Sequence, residues 1–387
     1  WDVHKLLEEI ATATGWEVFI EPGTKYTVST KFKNLSPGEA LRMLLPSLRA
    51  VVLPQPGGPS KLLVYRTSAQ EATQWVRPIA AKKEDPTAKP ISNELVVTLK
   101  PGAKIDELAK KLGAKVVGRA DGLNTYRLAF ENAEAAESAR EQLRNNPDVV
   151  SVDSNYWMHG PESPDALALS SGNPLNLKES KSGDCTSSII GLIDTPVQST
   201  GGSMDAFLLP GISVAGETSL SSDQPTRATS MFETILRGVS ANGQETSVKV
   251  LPVDVYGNNA ETTTFDVANG IDQAVKKGAG VINLSLGSAG DSSFLRQVIK
   301  SSTDQGVMFF AAAGNEPSTA LTYPAAYSNV VAVTASGRDG TIASYANRGE
   351  FVDLAAPGSS VVSYNGQSWL VMGTSASTAY ASGLAAS

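Results

Sequence analysis

Three side chains of this 387-residue chain stand where acid, amide and hydroxyl chemistry could be assembled. Asp194 closes the apolar run Ile190-Gly-Leu-Ile-Asp194-Thr195. Asn315 follows Ala311-Ala-Ala-Gly314, whose small residues let the backbone approach a substrate. Ser375 lies in Gly373-Thr374-Ser375-Ala376-Ser377, which reads as the first turn of a helix. Acyl transfer by a serine needs a base for its proton, a carboxylate to orient that base, and donors for the oxyanion. A serine in the first helical turn points its hydroxyl outward. Its backbone N–H and the helix dipole then hold negative charge. An asparagine amide adds a second donor, and losing such a donor costs on the order of 10²–10³ in turnover. Each residue also has an ordinary reading: a strand-terminal acid, an Asn in a left-handed turn, a Ser/Thr helix cap.

These groups need a scaffold. Short apolar runs at 188–192, 248–253, 280–284, 307–311 and 330–334 are separated by helical lengths. Continuously apolar strands of this kind predict a parallel sheet covered on both faces. Functional groups then collect at the carboxyl ends of its strands. A hydrophobic share of 41% supports a real core, and the length suggests two or three domains. The single cysteine, Cys185, excludes an internal disulfide. The net charge of −7, without a basic cluster interleaved with aromatics, argues against nucleic acid as a partner. No apolar run reaches the roughly 18 residues of a membrane span. No clustered acidic loop commits to calcium or another metal, so no cofactor is expected.

Several phrases, taken together, resemble the subtilase family of serine proteases. The run ending at Asp194 is similar to the family's acid-bearing strand, with Pro196 where glycine is usual. Val281-Ile-Asn-Leu-Ser285-Leu286-Gly287 resembles its substrate-binding strand, whose edge would pair with an extended peptide. The resemblance implies substrate-binding roles for Ser285, Leu286, Gly287 and Gly314, an oxyanion role for Asn315 and a nucleophile at Ser375. "YPAAYSNVVAVTA" and "ASYANRGEFVDLAAPG" extend the likeness. Ala379 and Tyr380 replace the proline and histidine that usually follow the serine. The family's catalytic histidine falls at Arg227, with Ala228 in place of the next glycine. Arginine cannot act as a base. The only histidines are His4 and His159, both outside this domain. Arg227 is expected to fork onto the Asp194 carboxylate. Glu233, further along the same helix, is a weak substitute for the base. Two accounts stay open: an active protease with arginine introduced to hold the precursor intact, or a natural pseudoprotease. The departures at Pro196, Ala228, Ala379 and Tyr380 favour drift.

Upstream, residues 92–157 read as β-α-β-β-α-β, the split βαβ order. "NELVVTLKPGA" and "NNPDVVSVDSNYW" resemble the subtilase propeptide, which chaperones folding and caps the site with its tail. Residues 1–67 read as α-β-β-α-β-β, with a helix carrying Leu6, Leu7, Ile10 and Ala11 and stopped at Gly15, strands 16–20 and 27–32, a Ser36-Pro37-Gly-Glu39 capping box and a hairpin around Pro56-Gly-Gly-Pro59. "FKNLSPGEALRMLL" resembles the short N-terminal domain of secretins and TonB-dependent receptors. Segments 68–91 and 158–183 read as linkers, the second being where family members are cut. The expectation is therefore an α/β subtilisin-like domain at 184–387 behind two small α+β domains, in an exported protein, periplasmic or outside a double-membrane bacterium. Its partners would be a peptide or protein substrate, its own propeptide in cis, and an envelope or secretion complex reached through residues 1–67. The opening Trp1 suggests a preceding leader. The end at Ser387 falls inside what should be a long helix.

Overall fold

The computed structural model describes residues 2–14, 16–28, 37–53, 60–76, 86–160, 167–169, 175–180, 188–199, 202–216, 218 and 224–387. The chain forms two compact units, Trp1–Asp85 and Pro86–Ser387.

In the first unit, α1 (Val3–Thr14) places Val3, Leu7 and Ala11 on one buried stripe at i, i+4 and i+8. The strands are β1 (Glu17–Ile20), β2 (Arg49–Leu53), β3 (Lys61–Tyr65) and β4 (Gln74–Val76), and α2 (Pro37–Leu44) lies before β2. Sheet order is β2-β3-β1-β4. The expected hairpin forms, pairing Arg49 with Tyr65. β4 corrects the linker reading: residues 74–76 join the sheet antiparallel to β1 and bury Val76 in its core. Alternation was too short there to signal a strand. Of the strand expected at 27–32, Thr27 makes a single bridge to Asp2. Val28 is buried in the core; residues 29–32, with Ser36, the Pro56–Pro59 turn and Cys185, lie outside the described residues.

In the second unit, β5 (Glu94–Leu99), α3 (Ile105–Leu112), β6 (Lys115–Ala120), β7 (Thr125–Ala129), α4 (Ala133–Arg144) and β8 (Val149–Ser154) follow the β-α-β-β-α-β order. All pairs in the sheet β6-β7-β5-β8 are antiparallel. Leu95, Val97, Leu128, Ala139 and Leu143 fill its core.

The chain then runs through β9 (Trp157–Met158), β10 (Leu167–Leu169) and β11 (Lys178–Glu179) into the larger sheet. Its elements are β12 (Ile189–Asp194), β13 (Ile212–Ser213), α5 (Arg227–Ser240), β14 (Glu245–Thr246), β15 (Lys249–Asp254), β16 (Thr262–Thr263), α6 (Thr264–Lys276), β17 (Ala279–Leu284), α7 (Ser293–Thr303), β18 (Met308–Ala312), β19 (Val331–Ser336), β20 (Leu354–Pro357), β21 (Ser359–Tyr364), β22 (Gln367–Met372) and α8 (Thr374–Ala386). Seven strands in the order β13-β15-β12-β17-β18-β19-β20 pair in parallel throughout. One face packs on α6 and α7 through Phe265, Ile271, Phe294 and Leu295. The other packs on α5 and α8 through Phe232, Ile235, Ala376 and Ala379. No helix among the described residues is long and apolar enough to cross a membrane.

The chain leaves β12 to build β15 on one side and then β17 on the other. The connecting helices α5 and α6 lie on opposite faces, so a crevice opens at the carboxyl end of β12, where Asp194 sits. The second linker reading is also corrected: β10 pairs antiparallel with β22, and β11 pairs in parallel with β14. Two- and three-residue strands carry no periodicity to read, and their order comes from backbone bonds to the domain they cross.

Candidate active site

The end of β12 and the start of α5 are tied together residue by residue. Thr226 caps α5, its hydroxyl accepting from the Thr229 N–H at 3.1 Å and donating to the Pro196 carbonyl at 2.7 Å. The Ala228 N–H donates to Thr195 Oγ1 at 3.1 Å, and the Thr226 N–H to Gln198 Oε1 at 2.7 Å. Arg227 is therefore held beside Asp194, which is fully buried. Its Nε donates to Asp194 Oδ1 at 2.7 Å, and the Thr195 N–H donates to the same oxygen at 2.6 Å. The expected two-point fork is a single bond. Asp194 Oδ2 and Arg227 Nη2 are both buried without a partner. The guanidinium lies 4.7 Å from the centre of the Tyr256 ring, a cation–π contact that the sequence did not signal.

Burial pushes the Asp194 carboxyl above its ordinary value, and Arg227 and the Thr195 N–H pull against it. Burial alone would lower the Arg227 guanidinium; Asp194 and Tyr256 outweigh it and raise it instead. Arg227 therefore stays protonated and cannot accept a proton. Glu233 lies within the same helix but is engaged elsewhere: Oε1 accepts from Arg237 at 2.7 Å and Oε2 from the Ser363 N–H at 2.6 Å.

Ser375 occupies the second position of α8 and is 2% exposed, its Oγ without a hydrogen-bond partner. α8 and α5 meet backbone to backbone. A β-carbon on Gly238 would lie 2.1 Å from the Tyr380 carbonyl oxygen, and one on Gly383 2.0 Å from that of Ile235. Only glycine permits this approach. Asn315 is fixed by its amide oxygen, which accepts from the Thr374 N–H at 2.8 Å and Thr374 Oγ1 at 3.0 Å. The Gly314 N–H donates to Thr374 Oγ1 at 3.2 Å. Thr374, unremarked in the sequence beyond its motif, thus joins the asparagine turn to the serine helix. With its oxygen engaged, the Asn315 carboxamide presents its NH₂ as the donor end.

With the tail seated beside Gly287, Ser285 and Leu286 are fully buried. Ser285 Oγ donates to the Ser375 carbonyl at 3.3 Å and accepts from Asn283 Nδ2 at 3.0 Å. Gly287 presents its edge to the chain's own tail: the His159 N–H donates to the Gly287 carbonyl at 3.1 Å, and the Gly287 N–H to the His159 carbonyl at 2.8 Å. On the tail's other side, β9 pairs antiparallel with β16. The segment 157–160 is thus an added strand between two edges. Side chains alternate along it. Met158 is fully buried and Gly160 abuts Arg227, so His159 faces the other way. The sequence placed His159 outside the domain; its backbone pairs with Gly287 in the groove.

The tail is anchored upstream. Asn155 Oδ1 accepts from Thr264 Oγ1 at 3.0 Å and the Phe265 N–H at 3.1 Å, capping α6. Arg127 Nη1 reaches Asp266 Oδ2 at 2.9 Å. Thr87 is buried, its hydroxyl accepting from the Ala289 N–H at 2.9 Å.

Residues 188–387 match the sequence model of the Subtilase family, and residues 77–155 that of the Fervidolysin N-terminal prodomain. The "Thermophilic serine proteinase" of Bacillus sp. (strain AK1) is 30% identical over 318 residues, covering 76% of this chain and 77% of that protein. The "Minor extracellular protease Epr" of Bacillus subtilis (strain 168) is 28% identical over 270 residues, and the chain spans 41% of its length. Among solved structures, fervidolysin from Fervidobacterium pennivorans superposes with a TM-score of 0.60 at 18% identity, covering 79% of this chain and 55% of that one. The fold is shared at that level.

Proposed function

The chain belongs to the subtilase family, and we propose that, as written, it binds an extended peptide segment in its groove without hydrolysing it. It is a subtilisin-family serine protease precursor with its prodomain in the same chain. The observation that carries the proposal is Arg227, which stands in the sequence where the family carries its base and is bonded to Asp194 at 2.7 Å. In this reading Asp194, Arg227 and Ser375 are the former catalytic set and Asn315 the oxyanion donor. Gly287 and Gly314 line the peptide path. Loss of the histidine alone costs about 2 × 10⁶ in turnover, a figure that belongs to a subtilisin. The groove keeps its strand-pairing edge, and the chain's own tail occupies it. Export, to the periplasm or beyond, is part of the proposal, supported by the extracellular character in the name of the Epr relative. So is docking of residues 1–67 onto an envelope or secretion complex, supported by the likeness of "FKNLSPGEALRMLL".

The test compares the chain with Arg227→His, using a broad peptide library and gel analysis of segment 159–183. The chain itself is expected to show no turnover; turnover abolished by Ser375→Ala overturns the proposal. A variant that cuts itself and hydrolyses peptides identifies a protease whose base alone is missing. A silent variant shows that Pro196, Ala228, Ala379 and Tyr380 have dismantled the site further, leaving peptide binding or scaffolding.

A further inference from the structure

Arg227 does more in this structure than remove a base. Its guanidinium is held at one edge by Asp194 and lies against the ring of Tyr256. On a third side it meets the tail. A β-carbon on Gly160 would lie 1.5 Å from Arg227 Nη1, 2.4 Å from Cζ and 3.1 Å from Nε. The first two separations are far inside van der Waals contact. An arginine tip usually yields to such a clash by turning aside. Here the turn breaks the Nε bond to a fully buried carboxylate, which is costly.

The backbone does not require glycine at this position. Gly160 is not among the glycines of positive φ, so alanine would meet no conformational penalty. The demand for glycine comes from the arginine. Two residues earlier the tail buries Met158 completely, on the same side of the added strand. Between them His159 contributes the reciprocal backbone bonds to Gly287.

Building on the peptide-groove reading above, we propose that Arg227 is a specificity-determining residue that makes glycine obligatory at the position held by Gly160. The groove then selects extended segments of the form apolar-x-Gly. The chain's own Met158-His159-Gly160 is the occupant on which this rests, and any external peptide must carry the same pattern to replace it.

The experiment uses the full chain and reads hydrogen exchange at the His159 and Gly287 amides, which protect each other only while the tail is seated. Gly160→Ala should lower protection at both by about tenfold or more. Arg227→Gln supplies the control. Its amide can occupy the place of Nε and keep the Asp194 bond, while the atoms at 1.5 and 2.4 Å are gone. The double variant Gly160→Ala/Arg227→Gln should recover the protection of Arg227→Gln alone. Full protection in Gly160→Ala overturns the proposal. So does a double variant as unprotected as Gly160→Ala, since the arginine would then not be the cause. Absence of protection in the unsubstituted chain is a different result: it sinks the peptide-groove reading itself.

Discussion

Two arginine–aspartate pairs lie in the same unit and differ in how completely they are met. Arg127 and Asp266 join the prodomain to α6 at 2.9 Å, with side chains 19% and 16% exposed. Asp266 Oδ2 also accepts from Thr263 Oγ1 at 2.7 Å, and Glu94 stands 3.9 Å from Arg127. Arg227 and Asp194 meet at 2.7 Å, the arginine side chain 27% exposed and the acid fully buried. Each arginine keeps one buried nitrogen without a hydrogen-bond partner, Arg127 Nε and Arg227 Nη2, but only at the site is a carboxylate oxygen, Asp194 Oδ2, also left without one. Asp266 is thus the better-met acid of the two. A buried ion pair is weak evidence for net stability, but breaking one by removing a single partner is costly. The comparison predicts unequal responses to the same substitution.

The largest effect is expected for Arg227→Met. It leaves the Asp194 carboxyl buried with only the Thr195 N–H, and should destabilise the fold by about 3–5 kcal/mol at pH 7, measured by urea denaturation. The sign of its pH dependence follows from the raised Asp194 pKa. A carboxyl whose folded value exceeds its unfolded one contributes stability below the unfolded value and loses it as pH rises through the folded value. Removing the arginine raises the folded value further. The deficit of Arg227→Met against the parent should therefore widen from pH 4 towards pH 8. A deficit constant with pH would mean that Asp194 is not the group left exposed to the loss.

Arg127→Met should cost less, about 2 kcal/mol, because Thr263 and partial solvent access remain for Asp266. It should also loosen the prodomain, seen as faster proteolysis between the two sheets. A loss equal to that of Arg227→Met would erase the distinction between the pairs. The smallest effect belongs to Tyr256→Phe. The Tyr256 hydroxyl is buried without a partner, so its removal should change stability by under about 0.5 kcal/mol. Burial pushes this phenol up to about 12. An alkaline absorbance titration should accordingly lose one late-ionising tyrosine in the variant. Stability linked to this group is complete below pH 10 and lost as pH rises through 12.

Much of this was legible in the chain because it depends on local pattern. The runs at 188–192, 248–253, 280–284, 307–311 and 330–334 are strands of the parallel sheet, since a strand buried on both faces must be apolar throughout. α5 begins at Arg227 because Thr226 can cap it, and the Gly373-Thr-Ser run opens α8. Asp194 at the end of its strand and the absence of any histidine beyond His159 were readable from residue types alone.

Relations between distant segments were not legible. Ser285 matched a substrate-binding phrase, yet its hydroxyl holds the Ser375 carbonyl across 90 residues of sequence. Burial is a property of packing, not of motif. Trp75, Leu167 and Lys178 lie in segments that read as linkers because a strand of two or three residues has no period to detect. Tyr256 over Arg227, Thr374 under Asn315 and Gly160 against the guanidinium are meetings of side chains that only the closed sheet and crossed helices bring together. The sequence by itself determined which groups are available. Only the tertiary structure decided what the replacing arginine touches. That is because the cost of a buried charge, and the room left beside it, depend on every neighbour the fold supplies.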